Sequence, residues 1–168
     1  TGAMGFARNL ETFEIAGQVR ELALLDPPIE PTNIVFMGMG EPMMNLDAVL
    51  DACGRLPDLG VTHRRTAVST VGWLPGLRRF LDVPIPVRLA LSLHAPDDEL
   101  RSRLMPVNDR YPLADVLEAC STYFARRRRT VFVEYVMLAG VNDHPDQARR
   151  LARLLDPRVY KVNLIPYN

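Results

Sequence analysis

The strongest constraint in this chain is an alternation between two apolar periods, repeated along almost its whole length. Ile15, Val19, Leu22 and Ala23 fall at helical spacing, so residues 11–25 read as an amphipathic helix, broken by Pro27, Pro28 and Pro31. Residues 33–37, Asn-Ile-Val-Phe-Met, form a short apolar run ending in glycines, the pattern of a buried strand. Helical spacing returns at Leu46, Val49, Leu50, Cys53 and Leu56, with Asn45 placed as a cap. Further strands are expected at 66–69, 87–93, 130–137 and 160–165. Helices separate them at 74–81, from Leu113 to Phe124, and around Ala148, Leu151, Ala152 and Leu155, with a short helical turn at 97–104.

Five strands, each after the first reached through a helix, predict a parallel sheet with helices outside it. A (β/α) barrel, whole or partial, fits better than a doubly wound sheet, and periodicity alone does not separate the two. At 168 residues the chain is shorter than the ~250 of a complete eightfold barrel, and it opens on a helix where a strand is expected. Twenty basic residues balance twenty acidic ones, so no overall field steers the molecule onto nucleic acid or membrane. No apolar run reaches ~18 residues, and two cysteines make no disulfide framework. The opening Thr-Gly-Ala-Met-Gly lacks a secretory pattern and an initiator methionine, so a cytoplasmic enzyme domain, cut from something longer, is expected.

In such barrels chemistry sits at the carboxyl ends of the strands. Here those ends read Met37-Gly38-Met39-Gly40-Glu41-Pro42, Ser69-Thr70, Ser92-Leu93-His94-Ala95-Pro96, Gly140-Val141-Asn142-Asp143 and Pro166-Tyr167-Asn168. Gly, Asn, Asp and Ser are ordinary turn formers one at a time, but five such ends together point to a ligand site. The first turn joins glycines, which admit a ligand close to the backbone, to one carboxylate suited to an ammonium group. It carries neither of the common phosphate-cradling glycine patterns, so a cationic or zwitterionic ligand is favoured over a dinucleotide.

His63, His94 and His144 lie 31 and 50 positions apart and form no short metal-binding pair. His63 and His144 read as surface loop residues; His94, directly after a strand, is the site candidate. A Ser69–His94 nucleophilic pair would need a third, orienting group. Cys53 and Cys120 fall on apolar helix stripes, where free cysteine behaves as a small buried hydrophobe. Arg126–Arg129 closes the longest helix, where cations complement the helix dipole; a phosphate contact is the alternative use.

Several blocks, in this order, resemble one family. They are Gly5-Phe-Ala-Arg-Asn-Leu10, Glu14-Ile15 with Gln18-Val19, residues 33–45 (Asn-Ile-Val-Phe-Met-Gly-Met-Gly-Glu-Pro-Met-Met-Asn), Ser69-Thr70 and residues 89–96. Pro106–Tyr111, Glu134–Leu138, Gly140–Asp143 and Lys161–Asn168 complete the set. The chain is similar over essentially its whole length to the RlmN/Cfr family of radical S-adenosylmethionine (SAM) methyltransferases, and more closely to the RlmN branch. The resemblance implies a partial (β/α)6 radical SAM barrel with parallel strands, lacking its first strand and cluster loop, so that residues 1–168 form one radical SAM core domain truncated at both ends. It implies methylation of carbon 2 of an adenine in 23S rRNA, and of certain tRNAs, by a cytoplasmic enzyme served by an electron donor and free of membrane. It assigns SAM contacts to Gly40, Glu41, Ser69, Ser92, Leu93, His94 and Asn168.

The family's C-x-x-x-C-x-x-C motif, which holds a [4Fe-4S] cluster, is absent from these residues and is expected just upstream of Thr1. In the family a methyl group passes from SAM to a cysteine, a second SAM yields the radical that activates it, and another cysteine resolves the protein–RNA crosslink. Cys53 and Cys120 match neither cysteine, so no catalytic residue and no metal ligand is expected in this chain. Two alternatives stand beside this reading: a non-catalytic SAM- or RNA-binding remnant, and another radical SAM enzyme.

Overall fold

A computed structural model describes residues 5–37 and 39–167 of the chain. The elements are α1 (Thr12–Ala23), β1 (Ile34–Phe36), α2 (Leu46–Arg55), β2 (Thr66–Thr70), α3 (Leu74–Asp82), β3 (Arg88–Ser92), α4 (Asp98–Leu104), α5 (Val107–Arg110), α6 (Leu113–Arg127), β4 (Val131–Met137), α7 (Pro145–Leu154) and β5 (Tyr160–Pro166). The expected strands and long helices are all present. Only the one-turn α5 carries too few residues to show a period.

The strands pair in the order β1-β2-β3-β4-β5, every pair parallel. Consecutive parallel strands joined by right-handed crossovers put their helices on one face of the sheet. Side-chain parity agrees. Val68, Leu89, Leu91, Val131, Val133 and Tyr135 are buried in one cluster with Leu77 and Phe80 of α3 and Val116, Cys120 and Tyr123 of α6. The alternate residues line the other face, where Val35, Arg88, Lys161 and Asn163 are exposed. The partial barrel expected from the sequence is thus met as five parallel strands in an open sheet. Among the described residues β1 and β5 each pair on one side only.

Three local expectations are corrected. Asn45 stands at the start of α2 but makes no side-chain cap; its amide donates instead to the Leu10 carbonyl at 2.8 Å, pinning the segment before α1. His63 is half-buried rather than a surface loop residue, with Nε2 3.1 Å from the Cys53 carbonyl oxygen. The short turn expected at 97–104 is a seven-residue helix, α4, over Asp98–Leu104, capped by the Asp97 carboxylate, which accepts from the Leu100 N–H at 2.9 Å. Cys53 and Cys120 are both fully buried, and burial pushes each thiol up to about 12.

The loop after β1 is seated by a close backbone approach. A short 3-10 turn, Pro42–Met44, lies directly on α3, and a Cβ at Gly76 would stand 2.1 Å from the Met43 carbonyl oxygen. Only glycine fits there, because the obstacle is backbone. Gly76→Ala is therefore expected to destabilise the chain by about 1–3 kcal/mol, the usual cost of overpacking. Urea unfolding measures this, and an unchanged midpoint would contradict the seating described.

Candidate functional site

The site is built where β1, β2 and β3 end. Gly40 takes φ +133°, backbone that side-chain-bearing residues avoid, and a Cβ placed on it would meet nothing within 4 Å. The turn therefore needs glycine for its conformation and leaves open space beside it. Glu41 follows, and its carboxylate is held by the next strand. Oε1 accepts from the Thr70 hydroxyl at 2.5 Å and the Met43 N–H at 3.1 Å, while Oε2 accepts from the Val71 N–H at 2.9 Å. The Thr70 oxygen in turn accepts from the Gly72 N–H at 3.0 Å.

Three bonds use three of the roughly four lone-pair positions of a carboxylate, which leaves one on Oε2. Burial pushes the Glu41 pKa up, against the pull of its three hydrogen bonds. Among the described residues no Lys, Arg or His forms an ion pair with it. A half-buried carboxylate, oriented and short of a cation, suits an ammonium group.

Ser69 and Ser92 face each other across β2 and β3, their hydroxyl oxygens 3.5 Å apart. Both lie on the sheet face opposite the helices, Ser69 buried and Ser92 half-buried. Leu93 does not: its side chain is fully buried on the helix side. Its N–H donates to the Glu134 carbonyl at 3.0 Å, and its own carbonyl accepts from Arg101 at 3.2 Å. Leu93 thus anchors the loop that carries its neighbours.

His94 adopts φ +60°, which turns the chain sharply out of β3. Its Nδ1 lies 3.0 Å from the Val136 N–H and accepts from it. An accepting Nδ1 carries no proton, so the neutral ring holds its hydrogen on Nε2 as a donor. Burial lowers the His94 pKa, and the charge of Arg101 adds to the effect. Asn168, expected to join these groups, lies outside the described residues.

Asn142 has a different task from the one expected. It is 2% exposed and works as a staple: Nδ2 donates to the His94 carbonyl at 2.8 Å and the Val136 carbonyl at 2.7 Å, and Oδ1 accepts from the Leu138 N–H at 2.6 Å. It binds the β3 and β4 ends together rather than facing a ligand. His144 is exposed, as expected, and stands at the N-cap of α7.

Other polar groups here are not singled out by sequence reasoning. Glu134 and Asn163, in register with Ser92 across β3, β4 and β5, are linked by a 2.7 Å hydrogen bond on the uncovered face. A charged residue inside an otherwise apolar strand is the signal that marks Glu134. Arg101 and Asn108, both buried, carry no such signal: Arg101 donates to the backbone carbonyls of Val71, Ser92 and Leu93, and Asn108 bonds the side chains of Arg101, Asp98 and Ser102 around it.

The donor set fits a zwitterionic ligand such as SAM: an oriented carboxylate, an open glycine turn, two hydroxyls and an Nε2–H. It does not fit an iron–sulfur cluster. Among the described residues no group of three or more His, Cys, Asp or Glu is placed to hold a metal ion. Both thiols are buried, with pKa values pushed up to about 12.

The His94 geometry gives a direct test. Because the fold prefers the neutral ring, this contribution to stability is complete above about pH 6.5 and is lost as the pH falls through the lower, folded-state value. Nitrogen-detected NMR is expected to show the Nε2–H form and a pKa below 6.5. An Nδ1–H ring, or a pKa raised above that value, would contradict the Val136 contact.

The chain is similar to known proteins over most of its length. The family model described as the radical SAM superfamily matches residues 5–152. Proteins named probable dual-specificity RNA methyltransferase RlmN are 56% identical in Gemmatimonas aurantiaca, over 99% of this chain, and 47% identical in Thermus thermophilus, over 100% of it. The chain spans about half the length of these relatives, 46% and 49% respectively. A crystal structure of a radical SAM methyltransferase from Sphaerobacter thermophilus superposes with a TM-score of 0.92 at 43% identity, covering 99% of this chain and 50% of that one. With most of its length matched and its polar groups gathered at the strand ends, the chain belongs to the radical SAM superfamily, and its sequence is RlmN-like.

Proposed function

We propose that this chain is the SAM-binding core of a radical SAM RNA methyltransferase, and that the reaction is methylation of carbon 2 of an adenine in 23S rRNA and in certain tRNAs. The observation that carries the reading is the Glu41 carboxylate, which is fixed by Thr70, Val71 and Met43 and retains one free lone-pair position. In this reading that position accepts the ammonium group of SAM. Gly40 leaves room for the amino-acid end, Ser69 and Ser92 offer hydroxyls, and His94 donates from Nε2. Asn168 is proposed as a further contact. SAM, if bound, would supply the methyl group; the hydrogen-abstracting chemistry would need a reduced [4Fe-4S] cluster, for which the described residues provide no ligand set.

The choice of RNA rests on the relatives, named RNA methyltransferases and 47–56% identical. The described residues supply none of the reacting sulfur, since thiols pushed up to about 12 are protonated at neutral pH. We take residues 1–168 as one core domain, acting in the cytoplasm with an electron donor as partner. No helix among the described residues is long and apolar enough to cross a membrane.

Titrating SAM into the chain by calorimetry is expected to show binding. Glu41→Gln is expected to weaken it roughly 10- to 100-fold, the range for loss of a charge-assisted hydrogen bond. Equal affinity in the two proteins would contradict the role of Glu41. For the RNA, 23S rRNA treated with a full-length protein containing this core, loaded with its [4Fe-4S] cluster and given SAM and a reductant, is expected to yield 2-methyladenosine by mass spectrometry of its nucleosides. A methyl group at another adenine atom would contradict the proposed regiochemistry.

A further inference from the structure

Arg101 of α4 is the largest side chain buried completely, at 0% exposure. Among the described residues no carboxylate lies within ion-pair distance of it. Its hydrogen bonds go elsewhere. Nε donates to the Leu93 carbonyl at 3.2 Å, Nη1 to Asn108 Oδ1 at 2.7 Å, and Nη2 to the carbonyls of Val71 at 2.7 Å and Ser92 at 3.2 Å. One guanidinium therefore grips the carboxyl ends of β2 and β3 together. A buried cation without a carboxylate partner is costly, and apolar side chains fill the same core without that cost.

What Arg101 touches connects the two halves of the site. Val71 is held at both backbone groups, its N–H by Glu41 and its carbonyl by Arg101. The Leu93 carbonyl shares one planar peptide with the His94 nitrogen, so Arg101 also sets the plane from which His94 turns out at φ +60°. The guanidinium is itself fixed from behind. Asn108, which accepts from Nη1, donates to Asp98 Oδ1 at 2.9 Å and to the Ser102 hydroxyl at 3.0 Å, and Asp98 Oδ1 accepts from the Leu113 N–H at 2.8 Å. The network runs from the start of α6 to Glu41 on one side and His94 on the other.

We propose that Arg101 is a positioning residue of the SAM site, setting the placement of Glu41 relative to His94 through the carbonyls of Val71, Ser92 and Leu93. This rests on the reading of the site as a SAM site. Lysine in its place keeps the charge but loses the planar fork that reaches three carbonyls at once. A purely structural arginine would affect stability and leave its effect on SAM affinity independent of Glu41. A positioning arginine makes the two effects interdependent, because each substitution spoils the same arrangement.

The experiment is a double-substitution cycle read by SAM titration calorimetry, with a thermal melt of each protein to confirm cooperative folding. Arg101→Lys is expected to weaken SAM binding about 10-fold or more, as misplacement of a binding group does. In the Glu41→Gln background the same substitution is expected to cost less than about threefold further, well short of the product of the two single effects. Asn108→Ala, which leaves the three carbonyl contacts of Arg101 intact, is expected to weaken binding in the same non-additive way but by less. It carries the test if Arg101→Lys does not melt cooperatively. Effects that multiply, or unchanged affinity in both the Arg101 and Asn108 variants, overturn the inference while leaving the SAM site standing. Failure of the unsubstituted chain to bind SAM, or an unchanged affinity in Glu41→Gln alone, overturns the reading of the site and this inference with it.

Discussion

One carboxylate joins the first strand to the second. The loop after β1 has no ladder of its own beyond Phe36, and its position depends on Glu41 reaching across to Thr70 and Val71 at the end of β2. A glutamate used in this way is part-buried and oriented, and burial already works against its charge. The same features that seat the loop suit it to the cation proposed above. Structure and the proposed binding thus meet in one side chain, and the Met43 backbone of the same loop packs closely on Gly76.

The remaining rim follows from the same economy of polar groups. Side chains proposed to face the ligand are few: the hydroxyls of Ser69 and Ser92 and the Nε2–H of His94. Each is placed by a neighbour that faces away. Thr70 serves Glu41, Leu93 is sunk into the helix-side core, and Asn142 and Val136 hold the His94 loop. Buried polar groups that are fully satisfied rigidify their surroundings, and Arg101 and Asn142 do so on either side of His94. Across the uncovered face, Glu134 and Asn163 extend the polar row begun by Ser92.

The fold was legible in the sequence because two apolar periods alternate cleanly, and a parallel strand order follows from helices placed between strands. Glu41, Ser69, Ser92 and His94 stood out for the same reason: each follows or closes an apolar strand run, where a polar group has no packing purpose. Residues whose partners are backbone carbonyls were not legible. Arg101 sits on a short helix among other arginines, and nothing in its local spacing distinguishes a buried one from a solvated one. Asn142 looked like a turn former at the rim, because an amide that staples two strand ends has the same sequence signature as one that faces a ligand. Asn45 failed in the same way, its amide being drawn to the Leu10 carbonyl by tertiary contact rather than to its own helix.

The central claim is that the open lone pair of Glu41 receives the ammonium group of SAM while the other three positions hold the loop. A crystal structure of the chain with SAM tests it most directly. The expected result is the SAM amino nitrogen within about 3 Å of Glu41 Oε2, a charge-assisted hydrogen-bond distance, with the contacts to Thr70, Val71 and Met43 retained. SAM bound with its amino group away from Glu41, or a Glu41 carboxylate that has left Thr70 and Val71 to reach it, would contradict the claim.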